Sequence, residues 1–391
     1  MSQAESLSRG QGATLPAPTE RHAGRTPFRL SIVSNDYHQM QVDPIYIDDR
    51  AHTFWQWCIT TNFRLSYRRL RILGLENIPT EGAVIFAPNH CNALCDALAV
   101  VALNCDKKVF AARADIFRNP TAAKLLRFHR IMPIRRIRDG LDEVRKNDET
   151  INEAVDTLLH GCAFCIMPEG THRPRHSLLP LSKGIFRIAI ETHKRASAQI
   201  NVSSANKRDS SPINMRSIYI VPIGLEYGDY FHLYDSLLVQ VGEPINVTDY
   251  LREHAEFTEP QQILGLREIL TERMRRLILW VPDDANYEQN WAALRQNMPS
   301  PWREMQARLW PRALRMLLLV LTAPLALLGF SLTIPYWLTT IIVRHTVKDP
   351  AFYNSVQQVI QLLLMVLTLG IGSIIWRATS EWLWHLRHIK N

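Results

Sequence analysis

The chain has 391 residues, 47% of them hydrophobic, and a formal net charge of +8 with a pI of about 9.3. That length is too great for one minimal domain and allows a substantial buried core, so one sizeable globular domain with appendages is expected. The positive balance favours anionic partners, a class that includes nucleic acid, acidic lipid headgroups and phosphorylated small molecules, and does not choose among them.

The first residues are polar and punctuated by Gly and Pro rather than basic and then apolar, which is not the pattern of a secretory signal. The six cysteines, Cys58, Cys91, Cys95, Cys105, Cys162 and Cys165, are therefore expected to be reduced in a chain facing the cytoplasm. Residues 1–45 carry little apolar patterning and are expected to form a disordered tail. Residues 46–75 follow as an amphipathic segment. From Phe54 to Leu73, Trp55 and Trp57 stand with Arg64, Arg68, Arg69 and Arg71 among Leu and Ile, which suits a helix lying in a membrane interface or one packed on the domain.

Residues 76–250 alternate short β-rich runs with helical stretches. The runs are 83–87, 108–112, 130–134, 163–167, 218–223 and 238–241, and the helices fall at about 92–104, 120–129, 140–159 and 183–195. This alternation predicts an α/β fold, a mixed central sheet flanked by helices, with ligands at the strand ends. Cys162 and Cys165 lie in one such run, where residues three apart face opposite sides, so they are expected to be packed thiols. The Ser- and Asn-rich stretch 196–215 reads as a surface insertion. Residues 251–300 form a helical extension whose apolar positions, Leu266, Ile269, Leu270, Met274, Leu277 and Ile278, lie near helical spacing.

Residues 301–391 differ in kind, because Met316–Val343 and Val356–Trp376 contain no charged residue. Each is long enough to cross the hydrocarbon core of a bilayer, with Pro324 and Pro335 interrupting the first. Arginines before the first and after the second predict a C-terminal transmembrane helical hairpin with both ends cytoplasmic. The alternative is a buried helical pair.

Several motifs carry chemistry. In Ala87-Pro-Asn-His-Cys-Asn-Ala-Leu-Cys-Asp-Ala97, His90 precedes a helix that Asn92 is placed to cap, and Asp96 lies about one turn inside it. A carboxylate on one imidazole nitrogen fixes the tautomer and leaves the other as a base, as transfer to an alcohol requires. Arg135, Arg136 and Arg138 end a short strand, and guanidinium groups grip phosphate. In the turn at Pro168, Glu169, Gly170 and Thr171 offer hydrogen bonds and close backbone approach. Lys183 starts a helix, where a cation and exposed N–H groups share an anion. Pro222 lies in an apolar strand suited to line a channel or to fill the core.

In this order the motifs resemble the phospholipid/glycerol acyltransferase family, the PlsC-like enzymes that acylate glycerol-3-phosphate and 1-acylglycerol-3-phosphate. The resemblance covers about residues 70–247. It implies the glycerolipid acyltransferase fold, with His90 and Asp96 catalytic and Arg136, Glu169, Gly170, Thr171, Lys183 and Pro222 binding substrate. It implies no metal and no cofactor beyond the co-substrate, acyl-CoA or acyl carrier protein. The implied partners are membrane lipid and a glycerol-phosphate acceptor, with no nucleic acid, and the implied place is a membrane with the catalytic domain facing the cytoplasm. Most members have four residues between the His and the Asp. Here Cys91 to Cys95 make five, and the extra residue is expected to be absorbed where the loop enters the helix. His172 stands where Arg is common, followed by Arg173. Rival readings are transfer to another lysophospholipid, a metal-dependent hydrolase built on His90, Cys91, Cys95 and Asp96, and a scaffold that has lost catalysis.

Overall fold

The computed structural model describes residues 45, 50–103, 107–134, 142–205, 217–306, 312–368 and 370–387. The expected tail (1–45, apart from Ile45) and the three arginines Arg135, Arg136 and Arg138 lie outside the described residues.

The chain opens with helix α1 (Arg50–Leu65) and strand β1 (Arg69–Leu73), then β2 (Ala83–Pro88), α2 (Leu94–Val101), β3 (Lys108–Arg113), α3 (Pro120–Phe128), β4 (Ile131–Ile134), α4 (Asp142–Leu159), β5 (Ala163–Cys165) and α5 (Gly184–Ala205). It continues through β6 (Ile218–Tyr227), β7 (Ser236–Val241), β8 (Ile245–Asn246), α6 (Val247–Glu253), α7 (Glu259–Arg276), α8 (Tyr287–Gln296) and α9 (Trp302–Gln306). The strands form one sheet in the order β1-β7-β6-β2-β5-β3-β4, with β8 added to β6. β6 runs antiparallel to β7 and β8, and the other pairings are parallel, so the sheet is mixed.

Side chains alternate across it. Ile85 and Ala87 of β2, with Ile218 and Ile220 of β6, join one core beneath α4, α5, α6 and α7. Phe86, Val221, Ile223 and Leu225 face the other way with Cys91, Cys95 and Val100. Cys162 belongs to the first core and Cys165 to the second, both buried, as alternation along a strand requires. The parallel neighbours β2 and β5 bring the carboxyl ends of two strands side by side, and both chemical motifs leave from there.

Two expectations differ from the structure. The helix read from Phe54 to Leu73 ends at Leu65, and Arg69–Leu73 is an edge strand parallel to β7. The Arg-Leu-Arg-Ile alternation has a period of two. Leu70 and Ile72 pack on the second core. Arg69 donates to the Met305 carbonyl at 2.6 Å, and Arg71 pairs with Glu304 at 2.7 Å, so these arginines bind α9. The expected insertion from 196 is helical as far as Ala205, where α5 ends.

The C-terminal apolar stretches form four helices, α10 (Arg312–Leu332), α11 (Ile334–Thr346), α12 (Tyr353–Leu367) and α13 (Ile371–Arg387). Among the described residues no single helix is long and apolar enough to cross a membrane. Leu317–Leu332 and Ile334–Thr346 pass that test together but are bent by 62°. Pro335, with no N–H to donate and a ring that disfavours helix just before it, accounts for this bend. The second stretch breaks at Gly370, whose φ of +81° closes α12 with an N–H to the Met365 carbonyl. One face of α12 is polar and buried: Asn62 of α1 donates to Gln358 at 2.8 Å, and Ser66 reaches Gln361. The opposite face exposes Val359, Leu363 and Leu367, and α10 exposes Leu317, Leu321 and Leu325.

Candidate active site

The loop from β2 into α2 folds around one carboxylate. Asp96, fully buried in the first turn of α2, accepts at Oδ2 from the His90 imidazole Nδ1 at 2.8 Å. The same oxygen accepts from the backbone N–H groups of Cys91 and Asn92, each at 2.8 Å. Its other oxygen accepts from the Tyr227 hydroxyl at 2.9 Å. Four N–H and O–H donors, with the Cys91 thiol at 3.8 Å as a weaker fifth, therefore fix this carboxylate, and it fixes His90 with Nδ1 protonated and Nε2 as the basic nitrogen. Among the described residues nothing hydrogen-bonds Nε2, and the ring is 16% exposed.

Asn92 does not cap α2. Ala93 occupies the cap position with φ +46° and ψ −118°, and the Cys95 N–H returns to the Asn92 carbonyl at 2.9 Å. This tight turn absorbs the additional residue between His90 and Asp96, and it leaves an alanine in a conformation that suits glycine. Asp96, the third residue of the helix, instead reaches back to the Asn92 N–H ahead of the cap.

Glu169, expected to bind substrate, is turned onto the backbone. Oε1 accepts from the His90 N–H at 2.8 Å and Oε2 from the Leu179 N–H at 2.7 Å. Burial pushes this carboxyl up to about 7, against the two N–H bonds that favour its ionised form. Downstream, the Arg173 N–H donates to the His90 carbonyl at 3.1 Å. His90 is thus clamped through both of its backbone polar groups by the segment 169–173. Between them Gly170 turns the chain at φ +69° with open space over its Cα, and Thr171 is exposed. His172 places its ring edge-on to that of His90, centroids 5.4 Å apart. Its pKa is lowered, chiefly by burial and then by His90, so it favours the neutral form.

Lys183 and Pro222 make no hydrogen bond to the His90–Asp96 pair among the described residues. Lys183 is exposed one residue before α5, and the neighbouring Ser182 N–H donates to the Pro168 carbonyl at 2.7 Å, beside the Glu169 that holds the His90 backbone. Pro222 is buried within β6, beside Ala87, and by alternation faces the core opposite α2. A cavity of about 370 Å³ lies beyond Tyr227, lined by His176, Glu226, Tyr230 and Trp291, and does not include His90. Among the described residues no group of three or more His, Cys, Asp or Glu is arranged to hold a metal ion.

Two participants escape a reading of the sequence. Asn89 clips β2 to β6, its amide exchanging hydrogen bonds with the Leu225 N–H at 2.6 Å and carbonyl at 3.1 Å. Tyr227 ends β6 and is fully buried against Asp96. A strand prediction carried on from Ile223 would have delivered that tyrosine to the same sheet end.

Residues 69–226 match the model of the family described as Acyltransferase. No curated protein matches the chain. Among solved structures it is similar to the 1-acyl-sn-glycerophosphate (LPA) acyltransferase PlsC from Thermotoga maritima, with 16% identity and a TM-score of 0.40, over 60% of this chain and 83% of that one. The His–Asp pair at the end of β2 and the Glu-Gly-Thr turn at the end of β5 both lie within residues 69–226, the stretch that matches the Acyltransferase family model.

Proposed function

We propose that this protein transfers a fatty acyl group from acyl-CoA or acyl carrier protein to a hydroxyl of glycerol-3-phosphate or 1-acyl-sn-glycerol-3-phosphate. The observation that carries the reading is the buried Asp96 carboxylate on His90 Nδ1 at 2.8 Å, inside the family domain. Nε2 of His90 takes the proton of the acceptor hydroxyl as its oxygen attacks the thioester carbonyl. Asp96 stabilises the imidazolium that forms. Collapse of the tetrahedral intermediate breaks the carbon–sulfur bond, and the imidazolium returns its proton to the departing thiolate. The products are an ester and a free thiol, and the enzyme is restored without an acyl-enzyme.

Arg136 and Lys183 hold the acceptor phosphate by charge, while the Gly170–Thr171 turn meets the glycerol, so that the hydroxyl lies against His90. The exposed apolar faces of α10 to α13 attach the protein to a bilayer, with the catalytic domain on the cytoplasmic side. The bent pair α10–α11 enters the lipid and α12 lies with its polar face on α1.

The test is product analysis with purified full-length protein, both thioester donors, and acceptors with and without phosphate. Ester formation on the phosphorylated acceptors alone, abolished in His90→Ala with expression and membrane recovery unchanged, is the expected result. Turnover that survives His90→Ala removes the assignment.

A further inference from the structure

The His–Asp pair belongs to residues 69–226, but part of its support comes from α12. Ala93, at the cap of α2, has a methyl side chain and accepts nothing from the first exposed N–H groups of that helix. Ser355, in the first turn of α12, fills the role from the far end of the sequence. Its Oγ accepts from the Leu94 N–H at 3.1 Å, across 261 positions, and the residue is 5% exposed. Two residues along the same first turn of α2 stands Asp96.

The neighbours of Ser355 reach the same centre from other sides. Asn354, fully buried, donates to the Tyr230 carbonyl at 2.9 Å and so ties the start of α12 to the loop that follows Tyr227. Phe352 sets its ring edge-on to His172 at 4.9 Å, and His172 is edge-on to His90. Residues 352–355 therefore touch the loop that follows Tyr227, the helix carrying Asp96 and the ring beside His90. Residues 352–355 themselves lie outside the stretch 69–226 that matches the family model.

We infer that Ser355 is a positioning residue for the acyl transfer proposed above, and that α12 completes the catalytic centre. Asp96 can orient His90 only while the first turn of α2 holds its place relative to the Cys91 and Asn92 N–H groups. Ser355 satisfies an N–H at the start of that turn. Without it the turn frays and the imidazole loses its set, which lowers turnover rather than substrate affinity. The same helix presents Val359, Leu363 and Leu367 to the outside, so the face toward the apolar surroundings and the face toward the chemistry are one rigid element.

Steady-state kinetics on full-length protein test this. Ser355→Ala is expected to lower kcat roughly three- to thirty-fold, with KM for donor and acceptor within about twofold. Ser355→Thr, which keeps the hydroxyl, recovers most of the rate. Gln361→Leu, which loosens α12 from α1 without touching α2, leaves kcat near wild type. Amide hydrogen exchange at Leu94 and Cys95 is faster in Ser355→Ala than in wild type. Should the alanine lose the fold, Ser355→Cys keeps the volume with a weak acceptor and is expected to show the same loss of kcat. Wild-type kcat in Ser355→Ala or Ser355→Cys, equal loss in the threonine variant, or equal loss in Gln361→Leu overturns the role. If the wild-type protein acylates no acceptor, the proposed function fails by itself. The Leu94 amide then still decides whether Ser355 secures α2: faster exchange upholds it and unchanged exchange refutes it.

Discussion

Glu169→Gln separates the two demands placed on one buried side chain. The carboxylate accepts from two backbone N–H groups, His90 at 2.8 Å and Leu179 at 2.7 Å. Glutamine keeps one acceptor and turns an NH2 toward the other N–H, so one hydrogen bond to a charged acceptor is lost and a donor is left facing a donor. That change costs about 1.5–3 kcal/mol. Opposing it, glutamine carries no charge to bury. Burial holds the Glu169 carboxyl at about 7 against an ordinary 4.5, so ionising it in place costs about 3 kcal/mol more than in water. Above pH 8 the two effects are of similar size and the variant is close to wild type in stability.

The pH dependence of stability is where the two proteins part. A carboxyl with a raised folded pKa contributes stability that is fully present below 4.5 and is lost as pH rises through about 7. Relative to Glu169→Gln, wild type therefore loses about 3 kcal/mol between pH 4.5 and pH 8, a shift in thermal midpoint of roughly 5–10 °C. Thermal unfolding of both proteins at half-unit steps across that range gives the difference curve. At fixed pH the variant is expected to lose about tenfold in kcat, because the His90 backbone is held less firmly. Parallel stability profiles, or a difference of the opposite slope, would refute the placement of a buried carboxyl behind His90 whose burial outweighs its two N–H partners.

Three further outcomes follow from the same geometry. Tyr227→Phe removes the hydroxyl on Asp96 Oδ1 and is expected to cost about 1 kcal/mol of stability with a several-fold fall in kcat at unchanged KM. An effect on KM alone would place Tyr227 at the substrate instead. Ala93→Gly relieves the turn at φ +46° and is expected to stabilise by about 1 kcal/mol with activity retained, as read by denaturant midpoint. Leu321→Asp combined with Leu325→Asp puts charge on the exposed face of α10 at about 2.5–3.5 kcal/mol each in lipid. Flotation of this variant with liposomes as efficient as that of wild type would remove α10 from the membrane contact.

The residues legible in the sequence are those whose partners are close along the chain or marked by strand ends. His90 and Asp96 are six positions apart, and the alternation of β2 and β5 placed them and Glu169 at one edge of the sheet. The direction of the Glu169 side chain was not legible. The same Glu-Gly-Thr turn serves a ligand or a neighbouring backbone, and only the register of β2 beside β5 brings its carboxylate onto the His90 N–H. For Lys183 and Pro222 the element was legible and the surroundings were not: the first stands exposed one residue before α5, and the second is buried within β6. Tyr227, 131 positions from Asp96, carries no local sign of its partner at all.

Hydropathy is least informative at the C-terminal end, and for a specific reason. A stretch free of charge reads as a span whether its polar residues are scattered or aligned. In α12 the uncharged residues Asn354, Gln357, Gln358 and Gln361 are all buried, and they meet Tyr230, Thr340 and Asn62. A helix with that stripe cannot be surrounded by lipid without stranding those amides. It must keep one side on protein, and here that side is α1 and the entrance of α2. What looked like an anchor separate from the chemistry is therefore bound to it, because the helix that buries this polar stripe also carries Ser355, whose Oγ accepts from the Leu94 N–H at the start of the helix that carries Asp96.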